Sequence, residues 1–123
     1  PAGADLIADL TAHLVCACQA EDGRAKSGTY HLAARGETSW HGFARRVIET
    51  ARAAGLPIRT PTQALTAVRT SAFPTPARRP NNSRLSTARL ESAFGLRLPA
   101  WEAGVDRTLS EILEPMLAAE KDR

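Results

Sequence analysis

The sequence predicts an α/β fold that is mostly helical, with one or two short strands. Three observations predict it. Apolar residues recur at helical spacing in four stretches, residues 28–33 alternate as a strand does, and a proline- and arginine-rich connection interrupts the helical pattern. At 123 residues and 43% hydrophobic content, the chain suits one domain with a modest core.

The first helix is expected over residues 3–20, with Leu6, Leu10, Leu14 and Ala17 on one stripe and Asp5 near its positive end. Glu21–Ser27 reads as a polar loop in which Gly23 is the stop signal. Gly28-Thr29-Tyr30-His31-Leu32-Ala33 then reads as a strand, with Tyr30 and Leu32 on one face and Thr29 and His31 on the other. A lone strand cannot pair its own backbone, so this one is expected to join a sheet made elsewhere.

Thr38 and Ser39 offer caps to a second helix from Trp40 to Ala54, ended by Gly55. Its stripe is Phe43, Val47 and Ala51, widened by Trp40, Ala44 and Ile48. Residues 56–69 carry mixed signals because Pro57 and Pro61 limit any helix. A third helix is expected over Ser86–Phe94, closed by Gly95. A fourth starts around Pro99, carries Trp101, Val105, Leu109 and Ile112 on one side, and should end or kink at Pro115, with a polar tail that frays.

The segment Phe73-Pro74-Thr75-Pro76-Ala77-Arg78-Arg79-Pro80-Asn81-Asn82-Ser83-Arg84-Leu85 is the most informative stretch. Its prolines stiffen the backbone, and its arginines and amides suit an anionic, hydrogen-bond-rich ligand. No acidic residue lies between Glu49 and Glu91, an interval holding Arg52, Arg59, Arg69, Arg78, Arg79, Arg84 and Arg89 but no lysine. The net charge is only +3, so this is a basic middle on a mildly basic chain. Nucleic-acid binding would want aromatics interleaved with the arginines, and only Phe73 is there.

No catalytic set is visible. His13, His31 and His41 have no metal-ligand spacing, and no nucleophile elbow, phosphate loop, dinucleotide fingerprint or Tyr-x-x-x-Lys pair occurs. His31 reads as a packed structural residue, and Trp40 and Trp101 as core anchors. Cys16 and Cys18 read as small buried thiols, and the absence of a disulfide framework suits a cytoplasmic home. No run approaches the ~20 apolar residues of a membrane helix. The chain begins at Pro1 and reads as a piece of a longer protein.

In order, the chain carries Pro1-x-Gly3-Ala4-Asp5-Leu6, Gly28-Thr29-Tyr30-His31-Leu32-Ala33, Thr38-Ser39-Trp40 and Phe43-Ala44, followed by the proline–arginine segment through Asn82-Ser83-x-Leu85. Phe94-Gly95, Leu98-Pro99-x-Trp101 and Gly104-Val105 come next. Together these resemble the C-terminal part of the dTDP-4-dehydrorhamnose reductases, a family of extended short-chain dehydrogenase/reductases. The resemblance implies that residues 1–123 are the substrate-binding part of a Rossmann-type protein whose N-terminal NADPH-binding domain lies outside this chain. It also implies that residues 28–33 are a late strand of that domain's sheet.

The implied reaction is NADPH-dependent reduction of dTDP-4-dehydro-6-deoxy-L-mannose to dTDP-L-rhamnose, with no catalytic residue contributed by this chain. In related proteins an Arg-x-x-acid motif grips the nucleotide diphosphate. Arg79 and Asn82 fall at its two ends, with Asn82 replacing the acid. Some relatives are homodimers that hold Mg²⁺ between interface glutamates, and Glu111 falls at one such place. The other reading is a non-catalytic nucleotide-sugar or protein-interaction module of the same fold.

Overall fold

The computed structural model describes residues 1–20, 26–72, 75–77 and 80–121. It contains four α-helices: α1 (Ala4–Gln19), α2 (Trp40–Ala53), α3 (Ala88–Phe94) and α4 (Trp101–Lys121). The expected Glu21–Ser27 loop falls mostly outside the described residues. Two compact units are distinguished: residues 1–36 with 85–105, and residues 37–84 with 106–123.

The α/β expectation is overturned. Among the described residues there is no strand and no sheet, only a single parallel bridge between Arg35 and Ala100. Residues 29–34 run as irregular chain, although burial alternates over the first four as anticipated: Tyr30 and Leu32 are half-buried, Thr29 and His31 exposed. The alternation is real, but a strand requires a neighbouring backbone, and none of the described segments supplies a ladder.

In the first unit this segment is held by side chains instead. Tyr30 meets Phe94 of α3 edge-on, with centroids 5.3 Å apart and ring planes at 71°. The Arg89 guanidinium lies over the Tyr30 ring at 5.0 Å and donates to the Thr29 carbonyl at 3.2 Å. Tyr30 Oη donates to the Lys26 carbonyl at 2.6 Å. Such aromatic and cation–π contacts fix a segment whose backbone makes no ladder.

Glu91 organises the end of α3. Gly95 adopts the left-handed conformation (φ 62°), which glycine reaches without a Cβ clash, and its N–H donates to the Glu91 carbonyl. Leu96 N also donates to that carbonyl, at 3.0 Å. The Glu91 carboxylate accepts from Leu98 N at 3.0 Å and from Thr87 Oγ1 at 3.3 Å. This turn seats Leu90 and Leu98, which with Trp101 are the buried residues of the unit. α1 has the expected stripe, since Leu6, Leu10, Leu14 and Ala17 are its half-buried apolar line, but it buries no residue fully. Cys16 and Cys18 are free and exposed, not buried.

In the second unit, Ser39 caps α2 by accepting from Gly42 N at 3.1 Å. Two α2 side chains fasten the following loop. His41 Nε2 meets the Leu65 carbonyl at 3.1 Å, and Arg52 donates to Thr62 Oγ1 and the Thr60 carbonyl, both at 2.7 Å. Arg46 grips Asp106 with Nε 3.0 Å from Oδ1 and a second contact to Oδ2, joining α2 to α4. Ala51 and Leu113 are the buried residues here. Leu113, rather than the expected Ile112, follows Leu109 inward, since Ile112 is half exposed.

α4 departs from expectation at both ends. It begins at Trp101, two residues after Pro99, and runs through Pro115 to Lys121. Proline removes one hydrogen bond to the carbonyl four residues earlier, here that of the exposed Glu111. No helix among the described residues is long and apolar enough to cross a membrane.

Replacing Glu91 by alanine should strand the part-buried Leu98 N–H and lower stability by about 1–3 kcal/mol. Glu91→Gln keeps an acceptor and should lose clearly less. Chemical denaturation of the two variants measures the difference.

Candidate ligand-binding site

The polar loop of the second unit is folded by its own side chains. Thr75 Oγ1 donates to the Ala77 carbonyl at 2.9 Å. Asn82 Oδ1 accepts from Arg84 N at 3.0 Å, the turn that asparagine makes with the backbone two residues on. The same oxygen accepts from Arg84 Nε at 3.1 Å. The Arg84 guanidinium then reaches the Glu37 carboxylate, just ahead of α2. Asn82 thus aims Arg84, and Arg84 ties the loop to the entrance of α2.

Trp40 opens that helix and is 84% exposed. The expectation that it anchors the core is therefore wrong, while the same expectation holds for Trp101, which is buried. One side of the Trp40 indole is braced by Phe43, with centroids 6.2 Å apart and planes at 85°. His31, expected to be packed, is exposed.

Of the residues expected to bind ligand, Arg79 lies outside the described residues, as do Phe73, Pro74 and Arg78. Asn82 is exposed, its amide oxygen engaged as above, and its amide nitrogen donates to no described residue. Glu111 lies on the exposed side of α4 and pairs with Arg107 one turn earlier at 3.2 Å. No described contact joins it to Asn82. Among the described residues no three His, Cys, Asp or Glu side chains converge on a cation site. Glu111 is thus the one carboxylate of that expectation among the described residues, with Arg107 as its partner.

The arginines of the acid-free interval divide by role. Arg52, Arg84 and Arg89 hold structure, whereas Arg59 and Arg69 make no ion pair with a described residue. Glu37, Arg84 and Trp40 were not singled out as site residues by their sequence. The Asn-x-Arg spacing and the tryptophan directly after a Thr-Ser cap are the signals that point to them.

The first unit has an open cleft of about 550 Å³ lined by Arg35, Gly36, Arg97, Leu98, Pro99 and Ala100. It is shaped by the bridge, in which Arg35 N donates to the Pro99 carbonyl at 2.8 Å and Trp101 N to the Arg35 carbonyl at 3.0 Å. Gly36 has φ 86°, and a Cβ there would stand 3.1 Å from Trp101 Cδ1, so the turn requires glycine.

The described residues thus present a self-braced polar loop and an exposed indole at the start of α2. The particular family follows from comparison: the chain belongs to the RmlD substrate binding domain family, which matches residues 1–114. It is similar to a dTDP-4-dehydrorhamnose reductase of Escherichia coli, 49% identical over 112 residues. That of Salmonella typhimurium is 47% identical over 112 residues, and that of Burkholderia thailandensis 39% over 115. These alignments cover 91–92% of this chain but only 36–39% of the relatives.

Asn82→Ala should free Arg84 and speed tryptic cleavage after it about fivefold, the factor for loss of a ~1 kcal/mol hydrogen bond. Timed digestion with mass spectrometry reads this directly.

Proposed function

We propose that this chain is the dTDP-sugar-binding part of an NADPH-dependent reductase that makes dTDP-L-rhamnose from dTDP-4-dehydro-6-deoxy-L-mannose. The observation that carries the reading is the 47–49% identity to proteins named dTDP-4-dehydrorhamnose reductase, over 91% of this chain. Because the chain aligns with about a third of those proteins, the reductase activity is proposed for the chain together with a nucleotide-binding portion of the kind they contain.

NADPH, held by that portion, supplies hydride to the C4 carbonyl carbon. The role proposed for this chain is to bind and orient the nucleotide sugar. Arg79 is the candidate grip on the diphosphate, since a guanidinium pairs bidentately with phosphate oxygens. Asn82 stands beside it in sequence, with its amide nitrogen directed to no described residue. Two prolines, Pro76 and Pro80, stiffen the intervening loop and lower the entropy lost on binding. The compartment proposed for this reaction is the cytoplasm.

A homodimer with Mg²⁺ at its interface would require acids of a second copy around Glu111. Glu111 faces Arg107 within this chain, and no step is assigned to a metal.

Arg79→Ala should weaken dTDP binding about tenfold or more, since a charge-assisted hydrogen bond contributes roughly 1.5–3 kcal/mol. Calorimetric titration with dTDP checks this, and unchanged affinity removes Arg79 from the site.

A further inference from the structure

Resting on that reading, we infer that Trp40 is the stacking platform for the thymine base of the dTDP-sugar. Three observations carry the inference. First, the indole is 84% exposed although it begins a helix whose next aromatic, Phe43, is half-buried. A large aromatic ring left uncovered by the described residues, at the start of a capped helix, is available to a ligand or partner in a way that scattered small apolar residues are not.

Second, the ring is held in place. Ser39 caps the helix beneath it, and Phe43 meets it edge-on at 6.2 Å. The T-shaped contact with Phe43 and the 84% exposure leave room on the indole for a second planar ring. Stacking of a base on an aromatic side chain needs that geometry and little else.

Third, the platform is tied to the polar loop. Arg84, aimed by Asn82, contacts Glu37, three residues before Trp40. Three residues of chain span at most about 11 Å, so the indole is anchored close to the point where the loop attaches. The Arg84–Glu37 pair also neutralises the Glu37 carboxylate, which would otherwise repel a diphosphate.

The test is a calorimetric titration of the wild-type chain, Trp40→Ala and Trp40→Phe with dTDP and separately with inorganic pyrophosphate. Trp40→Ala is expected to raise the dTDP dissociation constant about five- to a hundredfold, the range seen for loss of one base–aromatic stack. Pyrophosphate affinity is expected to stay unchanged, and Trp40→Phe to recover most of the dTDP affinity. If wild-type and Trp40→Ala bind dTDP equally, the stacking role is overturned, the nucleotide-sugar reading stands, and the indole is left to a protein contact. Equal weakening toward both ligands also overturns stacking. If the wild-type chain binds no dTDP, the reading under Proposed function fails and takes this inference with it.

Discussion

The site hangs on one short relay of polar contacts: Asn82 to Arg84 to Glu37. Without it, residues 80–84 would be a proline-flanked loop with no fixed relation to α2. With it, the loop has a hydrogen-bonded turn, a directed guanidinium and an attachment at the N-terminal end of a capped helix. The ion pair itself is exposed, 61% and 66% at its two side chains, and an exposed pair of this kind is worth about 1 kcal/mol or less. Its importance is geometric: it positions a surface rather than stabilising a fold.

The stability of each unit comes from elsewhere, and it is thin. Leu90, Leu98 and Trp101 are buried in one unit, Ala51 and Leu113 in the other. Small cores leave much of the organisation to polar and aromatic fixtures. Glu91 gathers four donors around the end of α3, and Tyr30 is pinned between Phe94 and Arg89. Arg46 and Asp106 add a half-exposed ion pair between α2 and α4.

How much of this was legible follows physical lines. The helices were, because their signals are local: the 3.6-residue stripe of α1, the Ser39 cap and Gly55 stop of α2, and Gly95 after α3 are read within one turn of chain. The strand was misjudged because alternation reports which side chains face inward, not whether a neighbouring backbone is present. The end that Pro115 allowed does not occur: α4 continues to Lys121, and Glu111, whose carbonyl the proline leaves without its helical donor, is exposed. For the site, the loop and Asn82 stood out by composition. The partners of Arg84 and the exposure of Trp40 did not, since they depend on contacts 47 residues apart in sequence and on the absence of a covering group. The family, in contrast, was readable from the proline–arginine segment together with Leu98-Pro99-x-Trp101, and the match over residues 1–114 bears it out.

Two surfaces are candidates for the proposed nucleotide: the loop and indole at the entrance of α2, and the Arg35–Arg97 cleft of the first unit. A nitrogen-15 chemical-shift map of the chain titrated with dTDP separates them. The account predicts that the amides of Glu37–Trp40 and of residues 81–84 move together and saturate at one dissociation constant. Shifts confined to Arg35, Gly36 and Arg97, with the α2 entrance unmoved, would contradict it.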